Sequence, residues 1–101
     1  MNIIRGLLEH RNGNTNAKFL IDSYLYSFKG TISEGWSNFD QEVELSYKHI
    51  IHLKGRGKIT GEIDAKSLSI TLPNEVIISG APPVAINGVS RILGKVSWLE
   101  L

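Results

Sequence analysis

The sequence predicts an all-β domain, a small antiparallel β-barrel or β-sandwich of eight or nine short strands. Three observations carry this. Apolar residues recur with a period of two, turn signals fall at spacings of about 8–12 residues, and no stretch shows the three- and four-residue apolar spacing of a helix. The chain has 101 residues, 42% of them hydrophobic and 21% charged. That suits one domain spanning residues 1–101 with a core of its own.

Asn2–His10 and Ala17–Lys29 read as strands around the polar turn Arg11-Asn12-Gly13-Asn14-Thr15-Asn16. Thr31–Trp36 reads as a further strand after Gly30. The clearest alternation follows: Val43, Leu45, Tyr47, His49, Ile51 and Leu53 take one face, and Glu42, Glu44, Ser46, Lys48, Ile50, His52 and Lys54 take the other. This predicts a strand half buried along its length.

Gly55-Arg56-Gly57 suits a three-residue hairpin loop with Gly57 in the left-handed conformation. Centred on Arg56, it sets Leu53 opposite Ile59, Ile51 opposite Gly61 and His49 opposite Ile63. Asp64-Ala65-Lys66-Ser67 suits a type I turn, with Asp favoured at its first position. That turn sets Ile63 opposite Leu68, Gly61 opposite Ile70 and Ile59 opposite Leu72. The expectation is one antiparallel meander over residues 42–72, because a one-residue slip would turn its apolar set to solvent. Pro73-Asn74-Glu75 turns the chain into Val76–Gly80, and Ala81-Pro82-Pro83 interrupts pairing because proline lacks an amide donor. Val84–Ile86, Asn87-Gly88 and Val89–Leu99 read as a last hairpin around a favoured type I′ turn.

Several function classes are set aside by composition. The chain contains no cysteine, which removes disulfides, thiol nucleophiles and thiolate metal sites. No nucleophile elbow, phosphate-binding loop or dinucleotide fingerprint is present. His49 and His52, three apart on a strand, would point to opposite faces and could not share a metal. The parity of His49 places it inward as a buried neutral imidazole. The domain is therefore expected to be non-catalytic, with no cofactor and no metal. The N-terminal stretch lacks the apolar region of a signal peptide, and no apolar run spans a bilayer, so a soluble cytoplasmic protein is expected.

Recognition residues come from charge and ring chemistry. Between Glu34 and Glu44 lie four acids and no Lys or Arg; between Lys48 and Lys58 lie four bases and no acid. A net charge of +1 thus conceals strong segregation. Lys54, Arg56 and Lys58 gather at the expected hairpin tip, which would suit an anion, an acidic protein partner or a phosphate backbone. Trp36, Asn38 and Asp40 combine a ring face with amide and carboxylate groups, as carbohydrate recognition needs. Tyr24, Tyr26 and Phe28 share one strand face and could stack bases of a single-stranded nucleic acid. The leading expectation is a small domain that recognises or carries a ligand or macromolecular partner through its loop ends or barrel interior. The alternatives are single-stranded nucleic-acid or anionic-partner binding by the basic segment 48–58, and self-assembly as a homo-oligomer through a sheet edge.

Overall fold

A computed structural model describes residues 2–12, 14–32, 38–64, 66–81 and 90–100. The strands are β1 (Asn2–Arg11), β2 (Asn14–Ile21), β3 (Tyr24–Ile32), β4 (Phe39–Tyr47), β5 (Arg56–Ile63), β6 (Leu68–Thr71), β7 (Ile77–Gly80) and β8 (Ser90–Glu100). They close into an eight-stranded antiparallel barrel in the order β1-β2-β3-β8-β5-β6-β7-β4. Eight strands enclose a space that side chains can fill. Here the inward residues of every strand meet in one buried cluster, including Leu8, Phe19, Phe28, Leu45, Ile59, Ile63, Ile70, Ile78 and Ile92.

The all-β barrel is as the alternation predicts, but the meander over 42–72 is only half present. The expected strand across residues 42–54 stops at Tyr47, and Ile50–His52 form a 3-10 turn. β4 pairs with β1 and β7, whereas β5 pairs with β6 and β8. None of the expected pairings of Leu53, Ile51 and His49 with β5 exists. The alternation breaks at Ile50-Ile51, two adjacent apolar residues that cannot both face inward on a strand. In the turn Ile51 is 63% exposed, while Leu53 is buried beneath the barrel end. The second half of the expected register is correct: Ile63 pairs with Leu68 and Gly61 with Ile70. The Asp64 turn is also present, with Asp64 Oδ1 accepting the backbone N–H groups of Lys66 (2.7 Å) and Ser67 (2.8 Å).

Two further turns differ from expectation. The strand expected over Ala17–Lys29 is a hairpin, with Asp22 (φ 49°) and Ser23 (φ 70°) both left-handed at its tip. The left-handed glycine near residue 56 is Gly55 (φ 79°), not Gly57. Gly57 is required for space, since a Cβ there would lie 2.5 Å from Pro73 Cγ. The strand over Thr31–Trp36 is the end of β3, which runs through Gly30 to Ile32; the rest of that expected strand lies outside the described residues, as do Val84–Ile86 and Asn87-Gly88. β8 does follow, and its ring neighbours are β3 and β5.

One polar pair sits in the core. His10 and Thr15 are both fully buried, with His10 Nδ1 2.9 Å from Thr15 Oγ1 and the imidazole stacked on Phe39 at 5.3 Å. The inward histidine is therefore His10. His49 is exposed on the β4–β5 connection, because the 3-10 turn cancels the strand parity that pointed it inward.

Candidate functional site

A groove lies on the outside of the barrel. It has a volume of about 780 Å³ and crosses β2, β3, β8 and β5. Its position follows from strand register. Lys29 pairs with Ser97, and Ser97 with Arg56; Thr31 pairs with Lys95, and Lys95 with Lys58. Side chains at paired positions project to the same face, so these residues form two adjacent rows across three strands. Asn16 and Asn14 on β2 extend the two rows. All four cations, Lys29, Arg56, Lys58 and Lys95, are exposed.

Gly30 and Gly57 line the groove, and Gly94 directly precedes its lining residue Lys95. Gly30, Gly57 and Gly94 occupy inward positions of β3, β5 and β8 where other residues of these strands fill the core. A Cβ on Gly30 would lie 2.8 Å from the Lys95 carbonyl oxygen, and one on Gly94 would overlap the Thr31 carbonyl oxygen. Neighbouring backbones therefore approach more closely here than alanine permits, and the wall can bend sharply.

The electrostatics are one-sided. Among the described residues no carboxylate lines the groove. The ion pairs among the described residues lie elsewhere, between Arg11 and Asp40 and between Lys48 and Glu75. Lys58 and Lys95 face each other directly, an arrangement that opposes folding unless an anion lies between them. Asn14, Asn16, Thr31 and Ser97 supply amide and hydroxyl donors beside the cations, the donor set that oxyanions accept from.

The sequence-predicted site residues divide into three groups. Arg56 and Lys58 belong to this groove, while Lys54 is exposed outside its lining. Asn38 and Asp40 are taken up by structure. Asn38 Oδ1 accepts the Asn12 backbone N–H at 3.0 Å, and Arg11 pairs with Asp40 while donating to the carbonyls of His10 (2.8 Å) and Phe39 (2.7 Å). These contacts clamp the start of β4 onto the β1–β2 turn. Trp36 lies outside the described residues. The expected aromatic stripe is not a stacking surface, because Tyr26 and Phe28 are buried and Tyr24 alone is exposed. Lys29 and Lys95 were not singled out by the sequence. Each is an isolated lysine on an alternating strand, and only the non-local pairing of β8 between β3 and β5 brings them beside Arg56 and Lys58.

The other titratable groups do not assemble a site. The 3-10 turn brings the rings of His49 and His52 to 5.6 Å in an edge-on arrangement, nearer than strand geometry would allow. No third ligand joins them, and no group of three metal-ligating side chains occurs among the described residues. Lys48 beside Glu75 holds that carboxyl below its ordinary range, and the two N–H groups donated to Asp64 do the same there. Burial pushes the Tyr47 hydroxyl up. No helix among the described residues is long and apolar enough to cross a membrane. No family model, curated protein or solved structure matches the chain.

Proposed function

We propose that this domain is a non-catalytic recognition module that holds an anionic group in the outer groove over β3, β8 and β5. The observation that carries the reading is the convergence of Lys29, Arg56, Lys58 and Lys95 from three neighbouring strands on one groove that no carboxylate lines among the described residues. What favours the outer wall over the interior is that the inward positions are occupied by one continuous cluster of buried side chains. What favours non-catalytic binding is that the groove presents lysine and arginine side chains with amides and hydroxyls. Among the described residues it has no carboxylate or imidazole to serve as a general base near neutral pH.

The test is titration of the protein with inorganic polyphosphate across a salt series. Exposed charges are screened over about 8–10 Å near physiological ionic strength, so binding should weaken steeply between about 50 and 300 mM salt. Lys58→Glu with Lys95→Glu should reduce affinity by at least about tenfold while the thermal transition persists, since two attractive contacts become repulsive. Salt-independent binding, or affinity unchanged in that double variant, would show that the groove is not the site.

A further inference from the structure

We propose that the anionic partner of the groove is the opposite face of a second copy of this chain, so that barrels associate head to tail. The inference rests on the anion-binding reading of the groove and adds the identity of the occupant. It begins from the ring order. β4 lies four strands from β8 in either direction around the barrel, so the two strands occupy opposite walls. β8 runs through the middle of the basic groove. β4 carries Asp40, Glu42 and Glu44 on its exposed face.

The two walls differ in charge. On the β4 side, Glu42 and Glu44 line a smaller groove of about 330 Å³ with Arg5, Gln41 and Ser79. Arg5 is opposite Glu44, Glu9 is opposite Asp40, and Arg11 pairs with Asp40. Four acids thus face two arginines, an acidic excess, while the β8 side has four cations and, among the described residues, no lining acid. The near-zero net charge of the chain thus conceals two oppositely charged walls, and opposite walls of two copies attract.

Exposed apolar residues lie beside both charged patches. On β8, Leu93 (58% exposed) and Leu99 (50%) flank Lys95 and Ser97 along the strand. On β1, Ile3 (58%) and Leu7 (41%) flank Arg5, next to β4. Covering these leucines and isoleucine would add apolar burial around the charge pairs and lower the dielectric in which they interact. Strand addition is not the route, because each of the eight strands already has two neighbours in the closed ring. The two surfaces are different and opposed, so the contact is heterologous and propagates as a linear array instead of closing as a symmetric dimer.

Sedimentation velocity of the full chain tests this with two double variants. Lys58→Glu/Lys95→Glu removes the basic wall, and Glu42→Lys/Glu44→Lys removes the acidic wall. Wild type should form species larger than a monomer in about 20 mM salt and dissociate by about 500 mM, since exposed pairs are screened there. Each variant alone should self-associate at least about tenfold more weakly. Mixed, the two variants should associate again, because the untouched acidic wall of one meets the untouched basic wall of the other and the two reversed walls are complementary to each other. Glutamine versions at the same four positions, expected to weaken association without repulsion, guard against loss through misfolding. A wild type monomeric at low salt, or mixed variants that do not associate, would overturn the proposal. Binding of a single-stranded oligonucleotide to a protein that stays monomeric would also overturn it. Polyphosphate binding by Glu42→Lys/Glu44→Lys separates the two claims: retained binding without wild-type assembly leaves the anion site standing and rejects the second copy, and loss of both rejects both.

Discussion

Replacing Gly94 by alanine tests the packing on which the groove depends. A methyl at Gly94 would overlap the Thr31 carbonyl oxygen, sit 3.0 Å from the Thr31 carbonyl carbon and 3.4 Å from Ile59 Cδ1. The first two atoms are backbone, so no side-chain rotation relieves the overlap; β3 and β8 must separate by about 1 Å locally, enough to take a ladder hydrogen bond out of its normal range. Overpacking of a filled core costs about 1–3 kcal/mol. Weakening two flanking hydrogen bonds adds about 1 kcal/mol each, and the stiffer unfolded chain returns about 0.5 kcal/mol. The net expectation is a loss of about 2.5–4.5 kcal/mol. In a domain of this size that lowers the melting temperature by roughly 10–30 °C. Gly55→Ala is the comparison, because nothing lies within 4 Å of its Cβ and only the left-handed φ of 79° opposes it; about 1–2 kcal/mol is expected there. Urea unfolding monitored by tryptophan fluorescence reads both. A Gly94→Ala protein within about 1 kcal/mol of wild type would refute the close-approach argument.

Three further outcomes are expected. Ser23→Gly should raise stability by about 0.5–1 kcal/mol in the same unfolding assay, because Asp22 and Ser23 are both left-handed and Asp-Gly is the preferred pair for that turn. Asp64→Ala should destabilise the domain at neutral pH, and the difference from wild type should shrink as pH falls below about 4. The Asp64 carboxyl is held below its ordinary value by the N–H groups of Lys66 and Ser67, so its contribution is present above the unfolded-state value and lost as pH drops through the folded one. Lys54→Glu should leave polyphosphate affinity within about threefold of wild type, whereas Lys95→Glu alone should reduce it by about fivefold or more at low salt, because only Lys95 lines the groove.

The features legible in the sequence are those set by short-range chemistry. The β5–β6 register could be read because Asp64 starts a tight turn and the inward residues on both sides must meet across it. The β2–β3 hairpin was missed because Asp22-Ser23 is not a glycine turn. A signal was present: buried residues occupy odd positions through Phe19 and Ile21 and even positions through Tyr26 and Phe28, and a continuous strand cannot change parity without a turn or bulge. The false strand across residues 48–54 arose from a pattern that the 3-10 turn at Ile50–His52 breaks. The groove was legible only through Arg56 and Lys58. Its other half depends on β8 inserting between β3 and β5, a choice of neighbours that alternation does not encode, since any half-buried strand satisfies the same period.

The placement of β8 also bears on how the domain folds. β1, β2 and β3 are joined by hairpins, as are β5, β6 and β7, so both halves have local partners. β8 is later in the chain than every other strand of the ring, yet it staples the halves at one seam, as β4 does at the other, pairing Tyr26 with Glu100 on one side and Arg56 with Ser97 on the other. Until it docks, β3 and β5 each present a row of unsatisfied amide and carbonyl groups, an edge open to pairing with other chains. Ring closure across so long a stretch of chain is entropically slow. Lys29 on β3 and Arg56 and Lys58 on β5 stand along those transient edges. The cations that line the finished groove therefore also repel a like edge during synthesis, and their neutralisation should increase aggregation on refolding even where the native state is unchanged.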